Sequence, residues 1–109
     1  MNRWTSYGSP NEQDWLEVDF GQPKTVSRVV LHIYDDRGGV QPPMEFIVQT
    51  WTDQAWQNVD VTSRTPDKPT GSMANTVTFA PVSTSKLRVL FIHDGGARSG
   101  VTELEIWQQ

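Results

Sequence analysis

The residues of this chain that could do chemistry lie in its polar stretches and near its C-terminus: Tyr7 and Asp14, then Tyr34, Asp35, Asp36 and Arg37, then His93, Asp94 and Arg98, and finally Glu103 and Glu105. Glycoside hydrolysis needs two carboxylates roughly 5 to 9 Å apart in a cleft. Asp35/Asp36 and Glu103/Glu105 are the candidate pairs. Neighbours on a strand point to opposite faces, whereas residues two apart share a face at about 6 to 7 Å, so only Glu103/Glu105 has workable geometry. Outward glutamates on a strand are far more often a solvated face, and catalysis by either pair is disfavoured. Nucleophilic catalysis has little to build on: histidine occurs only at His32 and His93, cysteine is absent, and there is no Gly-x-Ser-x-Gly elbow. Two histidines without regular spacing also make a poor zinc site.

Binding chemistry is better served. A sugar presents apolar C–H faces and fixed hydroxyls, so its site wants an aromatic platform and planar hydrogen-bonding groups. Tyr7, Asp14, Tyr34, Asp36, Arg37, His93, Asp94 and Arg98 are of those types. The competing reading is that Arg37 and Arg98 merely pair with neighbouring aspartates on the surface. The chain has five tryptophans. Trp15, Trp51, Trp56 and Trp107 sit on or beside strands, where large aromatics usually fill or cover a core, so at most one or two should be solvent-facing platforms.

Strands must position these groups. Leu16, Val18 and Phe20 alternate with Glu17 and Asp19, a strand with one buried and one wet face, which Gly21 and Pro23 should end. Residues 25–34 are apolar on both faces, Val29, Leu31 and Ile33 against Val30, His32 and Tyr34, as in a central strand. Residues 35–43, with two carboxylates, an arginine, two glycines and two prolines, form a long loop of the kind that carries binding groups. Residues 44–51 and 56–61 read as a hairpin. Residues 63–73 lack periodicity and are expected to be a mobile polar loop. Three strands follow, residues 75–79, 86–93 and 101–108, the last two separated by the glycine-rich residues 94–100. About seven short strands without helical periodicity predict an all-β antiparallel β-sandwich, a single domain over residues 1–109.

The net charge of −4 argues against nucleic acid, whose phosphates demand a basic stripe, and disfavours a bare anionic membrane. Without cysteine there are no disulfides and no thiol chemistry, which leaves the compartment open. No apolar run approaches the roughly 20 residues of a spanning helix. Met1 directly before Asn2-Arg3-Trp4 reads as an added start, so a longer natural polypeptide is expected, with any export signal upstream.

The order of motifs also carries a resemblance. Arg3-Trp4-Thr5-Ser6, then Trp15-Leu16-Glu17-Val18-Asp19-Phe20-Gly21, then Asp35-Asp36-Arg37-Gly38-Gly39, Asn75-Thr76-Val77-Thr78-Phe79, Leu87-Arg88-Val89 and Thr102-Glu103-Leu104-Glu105-Ile106-Trp107 together resemble the discoidin, or coagulation-factor type C, domain, and more narrowly the carbohydrate-binding modules of that superfamily appended to bacterial glycoside hydrolases. The resemblance implies a galactose-binding-like jelly roll and non-catalytic carbohydrate binding that targets an attached catalytic domain of a larger, secreted or cell-surface polypeptide. Ligand contacts in such domains come from loops at one end, which here points to Tyr7, Tyr34, Asp36, Arg37, His93 and Arg98. It places the Trp4 indole in the interior. It also implies a structural calcium with loop carbonyls, an upstream Asp and a C-terminal Glu matched by Glu103, although the upstream Asp-Gly loop is absent from this chain. The family's first strand is missing as well, and an unpaired edge invites dimerisation. Gln54 stands where the family often has glycine in the hairpin turn. The alternative functions are a structural module packing on a neighbouring catalytic domain through an exposed patch that includes Trp107 or Trp51, and a protein or phospholipid binder, which these polar loops suit poorly.

Overall fold

The computed structural model describes residues 4, 5, 7, 9–11, 13–93 and 95–108, with the backbone alone for residues 4, 5 and 108. Arg3, the Trp4 indole and Asp94 lie outside the described residues. Seven strands succeed one another: β1 (Trp4–Thr5), β2 (Gln13–Ile33), β3 (Glu45–Thr52), β4 (Ala55–Asn58), β5 (Val61–Thr65), β6 (Ala74–Ile92) and β7 (Gly100–Gln108). They pair antiparallel in the order β1-β7-β2-β6-β3-β4, with β5 also on β6.

The sequence suggests breaks after Phe20 and after Phe79, but the strands run on. β2 has 21 residues and β6 has 19. Between Asp19↔Lys86 and Lys24↔Thr84 the register slips, so residues 20–23 bulge from the ladder. Gly21 takes φ 77° there, and its N–H donates to Asp19 Oδ1 at 2.8 Å. A second slip between Val26 and Arg28 leaves extra residues on β6, where Pro81 needs no ladder donor. Each long strand therefore bends from one layer into the other. The first halves of β2 and second half of β6 join β3 and β4; the second half of β2 and first half of β6 join β5, β7 and β1.

One core lies between the layers. Val26, Val29, Leu31 and Ile33 of β2, Phe46 and Val48 of β3, Val77, Phe79, Leu87, Val89 and Phe91 of β6, and Val101 of β7 are all buried in it. Each such side chain contributes about 1.5 to 3 kcal/mol of transfer free energy. Leu16, Phe20, Leu104 and Ile106 pack against its rim. The alternation read from residues 29–34, 46–51 and 87–92 holds, and β2 is central, between β6 and β7.

Two details depart from the sequence reading. The start of the supposed mobile loop is β5, and the rest is fastened by Asn75, which is buried. Its Nδ2 donates to the carbonyls of Thr70 (2.8 Å), Met73 (2.9 Å) and Leu31 (3.4 Å), while Oδ1 accepts the Thr70 N–H at 2.8 Å. The hairpin turn holds Asp53 at φ 53° and Gln54 at φ 62°, the two left-handed residues of a type I′ turn made without glycine.

Candidate functional site

Strand ends decide which loops meet. Gln13 and Glu45 both pair with Ile92, and Ile33 pairs with Val101, so the segment before β2, the β2–β3 loop and the β6–β7 loop emerge at one end of the sandwich.

The β2–β3 loop is built by its own aspartates. Asp35 Oδ1 accepts the Arg37 N–H at 2.8 Å, and Asp36 Oδ1 accepts those of Gly38 (2.7 Å) and Val40 (3.1 Å), while Asp36 N–H donates to the Val40 carbonyl at 2.9 Å. These carboxylates shape a loop and do not form an acid–base pair. Arg37 sits at the apex with φ 61° and is exposed. Gly39 follows, and a Cβ there would stand 2.8 Å from Tyr7 Cδ1, so the missing side chain is what lets the Tyr7 ring lie on the loop. Tyr7 is 71% exposed. Tyr34 is half-buried at the loop's base, its N–H donating to the Gly100 carbonyl at 2.9 Å.

The β6–β7 loop is stitched to this one. Arg98 N–H donates to the Gly39 carbonyl and Gln41 N–H to the Arg98 carbonyl, each at 2.8 Å. The half-buried Arg98 guanidinium donates through Nε to the Ser9 carbonyl (2.7 Å) and through Nη1 to those of Ala97 (2.9 Å) and Gly95 (3.5 Å). Its described bonds all go to carbonyls, and Asp94, the aspartate nearest to it in sequence, lies outside the described residues.

His93 lies beneath. Its side chain is 1% exposed, with Nε2 2.8 Å from Asp14 Oδ2 and Nδ1 2.8 Å from Ser99 Oγ. A carboxylate can only accept, so Nε2 carries the proton to Asp14 and, in the neutral ring, Nδ1 accepts from the Ser99 hydroxyl. Burial disfavours charge on Asp14, but hydrogen bonds from His93, Ser9 and Asn11 outweigh it and hold the carboxyl below the usual range. Serine, histidine and acid are thus linked as in a hydrolytic triad, yet Ser99 is 0% exposed, where no substrate carbonyl reaches it. Sequence reasoning missed this unit because its members come from positions 79 residues apart. It missed the Tyr7–Gly39 contact for the same reason.

Glu103 stands elsewhere, on the outer face of β7. His32 Nε2 lies 3.8 Å from Glu103 Oε2 and 3.6 Å from Glu105 Oε2, and all three residues are substantially exposed. Calcium takes six to eight oxygens, from carboxylates, carbonyls and waters converging on one point. One imidazole and two strand glutamates do not supply that set, so the described residues around Glu103 do not fit a calcium site.

A two-layer antiparallel sandwich with its loops gathered over one end is the galactose-binding-like plan. The chain belongs to the F5/F8 type C family of NedA-like, galactose-binding domains, which matches residues 1–89. Solved structures share the fold. A structure from the Streptococcus pneumoniae β-galactosidase BgaA superposes with a TM-score of 0.89 at 17% identity, over 100% of this chain and 76% of that one. Chitosan-binding module 1 of a Paenibacillus sp. IK-5 chitosanase/glucanase gives 0.73 at 22% identity, over 96% and 75%. The Clostridium perfringens module CpGH89CBM32-6 gives 0.70 at 11%, over 98% and 76%. Such neighbours are carbohydrate-binding modules of glycoside hydrolases.

Proposed function

We propose that this chain is a non-catalytic carbohydrate-binding module that takes a sugar on its loop end and holds an attached glycoside hydrolase close to a glycan or polysaccharide, outside the cell or at its surface. The observation that carries this reading is the exposed Tyr7 ring resting on Gly39, two residues from the exposed Arg37. Tyr7 offers the flat face, with Arg37 and Tyr34 as hydrogen-bonding partners, while Asp36, whose Oδ1 accepts the Gly38 and Val40 N–H groups, holds the loop in shape. Arg98 and His93 are positioning residues: their polar atoms already hold the loops together. A shallow, wet site of this kind binds modestly, and its benefit is the raised local concentration of the tethered enzyme.

The test is a titration with galactose, arabinose, rhamnose and N-acetylhexosamine ligands, followed by tryptophan fluorescence and by nuclear magnetic resonance. Tyr7→Ala and Arg37→Ala should abolish binding with the fold intact. A well-folded wild type silent to every ligand would overturn the reading. A second reading, a module that packs on a neighbouring catalytic domain, draws support from Trp107, 49% exposed on the outer face of β7 with the Arg28 guanidinium 5.6 Å from its ring centre.

A further inference from the structure

The layer made by β2, β6, β3 and β4 carries an arrangement on its outer face that the loop end does not use. Cross-strand register sets two adjacent rows there. One runs Glu17, Arg88, Gln49 and Asn58; the other runs Asp19, Lys86, then Trp51 opposite Trp56. Trp15, two residues before Glu17, flanks the first row.

Arg88 is the centre of this face. Glu17 stands opposite it in the ladder, yet among the described residues no carboxylate comes within ion-pairing distance of the guanidinium. Instead Arg88 Cζ lies 4.4 Å from the Trp56 ring centre and 5.5 Å from that of Trp15. Arg88 Nε donates to Gln49 Oε1 at 2.7 Å, and Gln49 Nε2 donates to Asn58 Oδ1 at 2.8 Å. The polar groups of three strands are thereby fixed in a line before any ligand arrives. Trp51 meets Trp56 edge to face at 5.3 Å and 70°, with Lys86 Nζ 5.0 Å from the Trp51 ring centre, which locks the second platform. Trp15 is 53% exposed and Asn58 is exposed.

The chemistry selects the occupant. A protein interface wants an apolar centre depleted of charge, whereas here Trp15 and Trp56 flank a hydrogen-bonded row of Arg88, Gln49 and Asn58. Nucleic acid wants a basic stripe, and Glu17 and Asp19 offset Arg88 and Lys86 on the same face. A ligand with flat C–H faces at intervals, hydroxyls between them and no net charge is a chain of pyranose rings. The ring centres of Trp15 and Trp56 lie 5.5 Å and 4.4 Å from the same guanidinium carbon, which brings both rings to one patch of the face.

We propose that this sheet face is a second glycan site, separate from the loop end, on which Trp15 and Trp56 stack on sugars of an extended neutral chain while Arg88, Gln49 and Asn58 hydrogen-bond its hydroxyls. Calorimetric titration with β-1,4-linked glucose, N-acetylglucosamine and galactose ladders, from mono- to hexasaccharide, tests it. Affinity should rise with chain length for at least one ladder, and Trp15→Ala and Asn58→Ala should weaken the hexasaccharide by roughly tenfold in the first case and less in the second. Trp15→Phe should restore most of the loss, and Tyr7→Ala should leave the length dependence in place, which separates this site from the loop end. A Trp15→Ala protein, folded by circular dichroism, that binds hexasaccharides like wild type overturns the proposal. So does the absence of any length dependence, or a Trp15-dependent self-association in sedimentation that sugar does not reverse.

Discussion

Burial alone would push the Asp14 carboxyl toward its neutral form, but hydrogen bonds from His93, Ser9 and Asn11 pull the other way and prevail. A folded-state value below the ordinary 3.8 means stability that is full above that pH and lost as pH falls through the folded value. Asp14→Ala should therefore be less stable than wild type at neutral pH by about 2 kcal/mol, the consequence of leaving the buried His93 N–H unpaired. Urea unfolding as a function of pH should show that gap narrowing below about pH 4. Asn75→Ala leaves buried backbone groups of the loop before β6 without partners, and should cost about 3 kcal/mol on the same scale. Gly39→Ala acts differently. The atoms nearest its Cβ belong to the exposed Tyr7 ring, so stability should change little while the ring is displaced and loop-end sugar affinity falls, as fluorescence titration would report.

The β3–β4 turn places an aspartate and a glutamine in a left-handed geometry that glycine tolerates best. Gln54→Gly should raise stability by about 0.5 to 1 kcal/mol, the relief of left-handed strain less the extra freedom given to the unfolded chain. A rise of a few degrees in Tm would show it. The sequence leaves this turn ambiguous because glycine, its usual sign, is absent. Strand faces were legible in β2, β3 and β6, where a period of two runs through the sequence, whereas β5 went unread because Val61–Thr65 shows no alternation. What escaped was continuity. Gly21 and Pro23 read as punctuation and the strand from residue 75 read as ending at Phe79, but bulges in a continuing strand use the same residue types as turns, and only the ladder partner, far away in the chain, tells a bulge from a turn. The loop end was legible as a list of residue types. Its roles were not: Asp35 and Asp36 turn inward to their own backbone, and Arg98 and His93 hold loops that the sequence sets far apart.

At the scale of the molecule, carbohydrate binding rests on family membership and on the layout of one end, while the flat aromatic face is a property of the layer as a whole. The outer tryptophans divide between the layers, Trp15 on one and Trp107 on the other. β2 and β6 belong to both layers, and neither layer keeps its central strands if the other is lost. Amide hydrogen exchange should accordingly find no half-open state: the protected amides at the two ends of β2 should exchange through one and the same global event, with equal opening free energies and equal response to denaturant.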